Sequence, residues 1–120
     1  MKKFLLLLVF LFSISTFSQN CDANPENVKE FIGKVVNVCG EVSQVSTPTN
    51  INGNPTYLNL GGKYPNSSFT IVAWGAIKDE LEINLSELEG KNILINGLIK
   101  EYKGKPQIVI ERKGQIIIIN

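Results

Sequence analysis

From Lys34 to Val45 the chain alternates with a period of two. Val36, Val38, Gly40 and Val42 fall on one side, and Asn37, Cys39, Glu41 and Ser43 on the other. Side chains of an extended strand point to opposite faces in turn, so this pattern commits the segment to a half-buried strand. Gly40 brings no side chain to pack, and predicts a bulge or sharp bend.

Shorter, glycine-punctuated pieces follow. Thr56 to Leu60 reads as a second strand, with Leu58 and Leu60 on one face and Tyr57 and Asn59 on the other. Phe69 to Trp74 is a third, and because both its faces are largely apolar the alternation leaves its inward side open. Asn92 to Lys100 is a fourth, carrying Ile93, Ile95 and Ile99 with Gly97 between them, and Gln107 to Arg112 a fifth with Ile108 and Ile110 on one face. Gln115 to Asn120 is a last apolar run that can continue the sheet after Gly114. Between strands lie two polar loops, Ser46 to Pro55 with an Asn-Gly turn signal, and Gly61 to Ser68.

Two stretches read as helical. Asn24 can cap a short N-terminal helix, Pro25 fits its first turn, Gly33 can end it, and Val28, Phe31 and Ile32 make one face apolar. Ile77 to Leu88 places Leu81, Leu85 and Leu88 at i, i+4 and i+7 among five carboxylates, with an internal cap at Asn84 or Ser86 that would make the helix short. Five short strands with a helix between the third and fourth is the order of an all-β, five-stranded OB-fold barrel, which closes the sheet on itself and removes exposed edges.

The start of the chain adds a location. Lys2-Lys3 followed by the apolar run Phe4 to Phe12, then Ser13, Ser15, Thr16 and Ser18, matches a secretory leader over residues 1–18. The run is shorter than the ~20 residues of a membrane span. The expectation is a secreted or periplasmic product beginning at Gln19, a single domain over 19–120, and no stable span after cleavage. A lipid-modified Cys21 would want a small residue before it and an aliphatic one three before; Asn20 and Ser18 stand there instead.

Setting Lys2 and Lys3 aside leaves ten of the 12 basic residues against 11 acidic ones, so the exported chain is close to neutral. Nucleic-acid binding would therefore need a local basic patch. With no histidine, histidine acid–base chemistry and histidine-ligated zinc are excluded. Cys21 and Cys39 invite a disulfide in an exported domain, worth on the order of 3 kcal/mol for a loop this short, although Cys39 also sits in an apolar strand where a buried thiol would fit.

Three stretches, "FIGKVVNVCGEV", "YLNLGGKYPNSSFTIVAWG" and "LEGKNILINGLIKEYKGKPQIVI", together resemble bacterial OB-fold proteins of the nucleic-acid-binding type across residues 31–112. Secreted thermonucleases share that barrel, and resemble one another through a calcium-binding carboxylate pair with an arginine and a glutamate on the phosphate. Here Arg112 is the sole arginine, and Asp79, Glu80 and Glu82 read as a solvated helix start. The expectation is a protein that is not an enzyme and needs no cofactor or metal.

OB folds bind oligonucleotides or oligosaccharides across the second and third strands and the loops beside them. Single strands are held by aromatic faces and a few cations. The resemblance therefore implies a ligand-binding set of Tyr57, Asn59, Lys63, Tyr64, Phe69, Trp74, Tyr102, Lys103 and Lys105. Phe69 and Trp74 have barrel packing as their competing role, and Tyr64-Pro65 local stiffening of its loop. Glu101 to Gly104 is expected to form a type I turn with Gly104 left-handed, and Pro106 to open the fifth strand. The function implied is weak single-stranded nucleic-acid or oligomer binding; the alternative is an envelope interaction protein for a protein or glycan partner, with no nucleic-acid role.

Overall fold

The computed structural model describes residues 20–119, so the expected leader and cleavage site lie outside the described residues. The long alternating segment forms β1 (Val35–Ser46). It is followed by β2 (Thr56–Leu60), β3 (Phe69–Ala73), a single helical turn α1 (Gly75–Lys78), β4 (Asn92–Leu98), β5 (Lys100–Tyr102), β6 (Lys105–Val109) and β7 (Ile116–Ile118).

β1 serves both halves of the sheet. From Val35 to Glu41 it pairs antiparallel with β4, and from Val42 to Ser46 with β2. The register slips between Val42 and Gln44, so the bulge expected at Gly40 falls at Ser43. Gly40 is required for a different reason: a Cβ there would stand 2.9 Å from the Pro25 ring.

The sheet has seven strands, not five, in the order β5-β6-β3-β2-β1-β4-β7, and its ladder is not closed. Two local events account for the difference. The expected fourth strand is divided at Ile99, whose N–H donates to Lys34 O at 3.0 Å while its carbonyl accepts from Gly33 N at 2.7 Å. The chain then leaves β1 and pairs with β6 as β5. Past Gly114, the isoleucine run adds β7 to the far side of β4.

The first expected helix shrinks to a single turn, and the second breaks into two, α1 and a 3₁₀ turn. Asn24 Oδ1 accepts from the amides of Glu26 and Asn27, as a capping residue should, but only a 3₁₀ turn at Val28–Phe31 follows. Extended backbone at Ile32 and a left-handed Gly33 end it. In the second stretch Asn84 is extended and accepts from Ser86 N, restarting the chain as a 3₁₀ turn at Leu85–Glu87. Leu85 and Leu88 still reach the core, so the apolar stripe survives although the helix is interrupted.

Val38, Val42, Leu58, Leu60, Ile71, Ile93, Ile95 and Ile108 fill the interior between the curled halves. Phe69, Ile71 and Ala73 point inward from β3, and Val72 on its other side is covered as well. Cys21 and Cys39 are joined, with Cα atoms 5.6 Å apart. The bond pins residues 20–23 beside β1, where Asp22 N and Ala23 N donate to Asn37 O and Cys39 N donates to Ala23 O.

Candidate nucleic-acid interface

The outer face of β1, β2, β3, β6 and β5 is built from cross-strand rows. One row runs Gln44, Asn59, Thr70, Gln107, Lys100. Residues two positions away on each strand form the next row, Ser46, Tyr57, Val72, Val109. Tyr102 opposes Lys105 at the end of the β5–β6 ladder, on the same side as Lys100 and Gln107 because side chains two apart share a face.

The centre of this face is closed. Asn59 is only 3% exposed; its Nδ2 donates to Gln44 Oε1 at 2.9 Å, and its Oδ1 accepts from Thr70 Oγ1 at 2.9 Å. Loop 61–68 folds over this row: Tyr64 N donates to Gln44 Oε1 and Gly62 N to Ser43 Oγ. From the other side Lys105 Nζ donates to the carbonyls of Pro65 and Ser67. Asn59 is thus not a ligand residue but the keystone of a buried polar network. Sequence alternation placed it on the correct face without showing that the loop covers it.

Phe69 is a second correction. It is fully buried on the inner face, packed in the core, and cannot meet a ligand. Trp74 lies one residue past β3 and precedes α1. Its indole rests on Gly53, where a Cβ would come within 2.9 Å of Cε3, and Gly75 N donates to Gly53 O. One side of the ring is therefore committed to the β1–β2 loop, while 40% of the residue stays exposed.

At the opposite end Tyr64 and Tyr102 are 75% and 57% exposed, and Lys63 and Lys103 stand in solvent. The Lys105 contacts tie the two tyrosine-bearing segments together. Lys103 lies over the Tyr102 ring, 5.4 Å from its centroid. The turn between them is not type I. Both Lys103 (φ 52°) and Gly104 (φ 82°) are left-handed, and Tyr102 pairs directly with Lys105, which makes a two-residue type I′ hairpin whose twist suits flanking strands.

Lys63, Lys100, Lys103 and Lys105 outnumber Glu101 at the tyrosine end, while the segment from α1 to β4 carries Asp79, Glu80, Glu82, Glu87 and Glu89 against Lys78 and Lys91. Lys100, Gln107 and Val109 were missed by sequence reasoning. Extending the parity of Tyr102 and Lys105 by two and four residues would have found them.

This sheet, with its bulged first strand shared between two halves and its parallel β3–β6 pair, is an OB fold. No family model matches the chain, and no curated protein matches it by sequence. Solved structures do. It is similar to the OB domain of a Methanosarcina mazei protein determined by solution NMR, at 19% identity and a TM-score of 0.51, over 73% of this chain and 74% of that one. It is also similar to a putative aspartyl-tRNA synthetase from Leishmania major Friedlin, at 9% identity and a TM-score of 0.52. That match takes in 91% of this chain but only 22% of the synthetase, so the likeness is one of fold.

Proposed function

We propose that the chain is an exported, non-catalytic OB-fold module that binds single-stranded nucleic acid weakly across this outer face. One observation carries the reading: Tyr57, Tyr102 and Lys100 occupy one side of the sheet, with Lys103 over the Tyr102 ring and Trp74 at the far end. Stacking is worth about 1–3 kcal/mol per base, so two or three platforms around a closed centre suit weak, sequence-tolerant binding. The similarity to a tRNA synthetase structure supports a nucleic-acid ligand as an analogy of fold. Export rests on the leader pattern of residues 1–18, and the lack of catalysis on the missing phosphate-clamping arginines. Titrating labelled single-stranded DNA at two salt concentrations tests it: binding should weaken as salt rises, and no binding at low salt would end the reading.

A second reading, an envelope glycan- or protein-interaction role, is favoured by the surroundings of Trp74. In α1, whose Lys78 N donates to Trp74 O, Lys78 joins Thr47, Thr56, Ile83, Asn84, Leu85 and Ser86 around a mixed polar and apolar cleft of about 270 Å³, in which Lys78 Nζ donates to Thr56 Oγ1 at 3.0 Å. Hydroxyls and an amide above the apolar Ile83 and Leu85 suit a sugar. Oligosaccharide binding that is insensitive to salt, without DNA binding, would select this role.

A further inference from the structure

Past β6 the outer face continues into a notch of about 240 Å³, where the ladder fails to close between the end of β4 and the end of β6. Part of its lining is apolar: Val35 and Leu98 are cross-strand partners, 67% and 42% exposed, and Val109 joins them. Lys100 and Arg112 line it as well. Among the described residues the ion pair formed is Lys113–Glu82, and neither Lys100 nor Arg112 has a carboxylate within 4.0 Å or a side-chain hydrogen bond. Glu111 is the opposing charge, one against two.

The main chain at Arg112 is held firmly while its guanidinium is left unused. Buried Gln115 accepts from the amides of Glu111 and Arg112 through Oε1, at 2.6 and 2.9 Å, and donates through Nε2 to Asn96 O at 2.9 Å. Asn96 Nδ2 in turn donates to Asn37 Oδ1. These amides are therefore spent on each other, and what the notch offers a ligand is two cations beside the apolar Val35, Leu98 and Val109.

We propose that this notch takes one nucleotide unit, its base against Val35 and Leu98 and its phosphate between Arg112 and Lys100. This inference extends the nucleic-acid reading above and rests on it for the strand that would deliver the unit. A guanidinium fork matches phosphate geometry, and bases pack on apolar as well as aromatic side chains. The size fits a single ring system and falls below the roughly 300 Å³ of a drug-sized pocket. Position supports the same ligand: Lys100 lies in the Thr70–Gln107 row and Val109 in the Tyr57–Val72 row, so a strand on the outer face runs into the notch.

Amide chemical shifts of the isotope-labelled protein, titrated with thymidine monophosphate and separately with inorganic phosphate, test this. The monophosphate should move Gly97, Leu98 and Arg112, Arg112→Ala should abolish those shifts, and phosphate alone should give weaker ones. With a labelled oligothymidylate, Arg112→Ala and Lys100→Ala should each lower the salt slope by about 0.7, the value for one phosphate contact on a single strand. Equal shifts from phosphate alone would remove the base from the proposal. Wild-type oligomer binding with an unchanged slope in both variants would overturn it. Shifts from the monophosphate in a protein that ignores the oligomer would defeat the outer-face reading and leave the nucleotide notch standing.

Discussion

Lys105 donates from its ammonium to the main-chain carbonyl of Ser67 at 3.1 Å, and so fastens the β5–β6 hairpin to the loop between β2 and β3. A side chain that looks like a phosphate contact in the sequence is, in the fold, a strap. Lys105→Met keeps the apolar stem and removes the strap. Amide exchange across residues 61–68 should accelerate and stability should fall by about 1–2 kcal/mol, as for a lost charged hydrogen bond. Unchanged exchange in that loop would show the strap to be idle.

Asn59 gives the complementary test of the closed centre. Asn59→Ala leaves Thr70 Oγ1 without its acceptor and Gln44 Oε1 without one of its two donors. A loss of about 1–3 kcal/mol in denaturant unfolding follows, the penalty for unsatisfied buried polar groups. Oligonucleotide affinity, measured well below the unfolding midpoint, should change little, because the residue does not reach solvent. A large affinity loss with intact stability would return Asn59 to the binding set.

The hairpin turn can be tuned without touching the sheet. Lys103 holds a left-handed backbone that costs an ordinary residue roughly 1 kcal/mol, whereas asparagine tolerates it. Lys103→Asn should therefore raise the melting temperature slightly, while Gly104→Val should lower it by the equivalent of about 1–2 kcal/mol. Neutral outcomes for both would argue against the type I′ geometry.

The disulfide holds the N-terminal segment against β1. Replacing Cys21 and Cys39 by serine should cost on the order of 3 kcal/mol. It should also expose the amide of Cys39's replacement to exchange, since that N–H bonds to Ala23 O. An intact mass under non-reducing conditions that lacks the two-hydrogen deficit would contradict the bond itself.

Much of the fold was legible because strand periodicity is strict. The inward faces of Val38–Val42, Leu58–Leu60 and Ile93–Ile95 follow from alternation, and so does the outward direction of Tyr57. The failures have physical causes. Phe69 sits in a strand apolar on both sides, where parity carries no information. Asn59 was hidden by a loop packing over it, a tertiary event with no local signature. Ile99 divides a strand because its backbone bonds to Gly33 and Lys34, some sixty-five residues earlier in the chain. The type I′ turn was readable in principle from Lys-Gly at a two-residue hairpin, but only once the Tyr102–Lys105 pairing was known.

The outer face as a binding surface is the central claim, and the affinity of labelled oligothymidylate for wild type and for the Tyr57→Ala/Tyr102→Ala double variant tests it most directly. Tyr102 is exposed and Tyr57 half-buried in β2, so affinities are compared well below the unfolding midpoint of each protein. At low salt the wild type should bind and the double variant should lose tenfold or more in affinity, the consequence of removing two stacking platforms worth about 1–3 kcal/mol each. Equal affinity in the two proteins, or no binding by the wild type, would contradict the account.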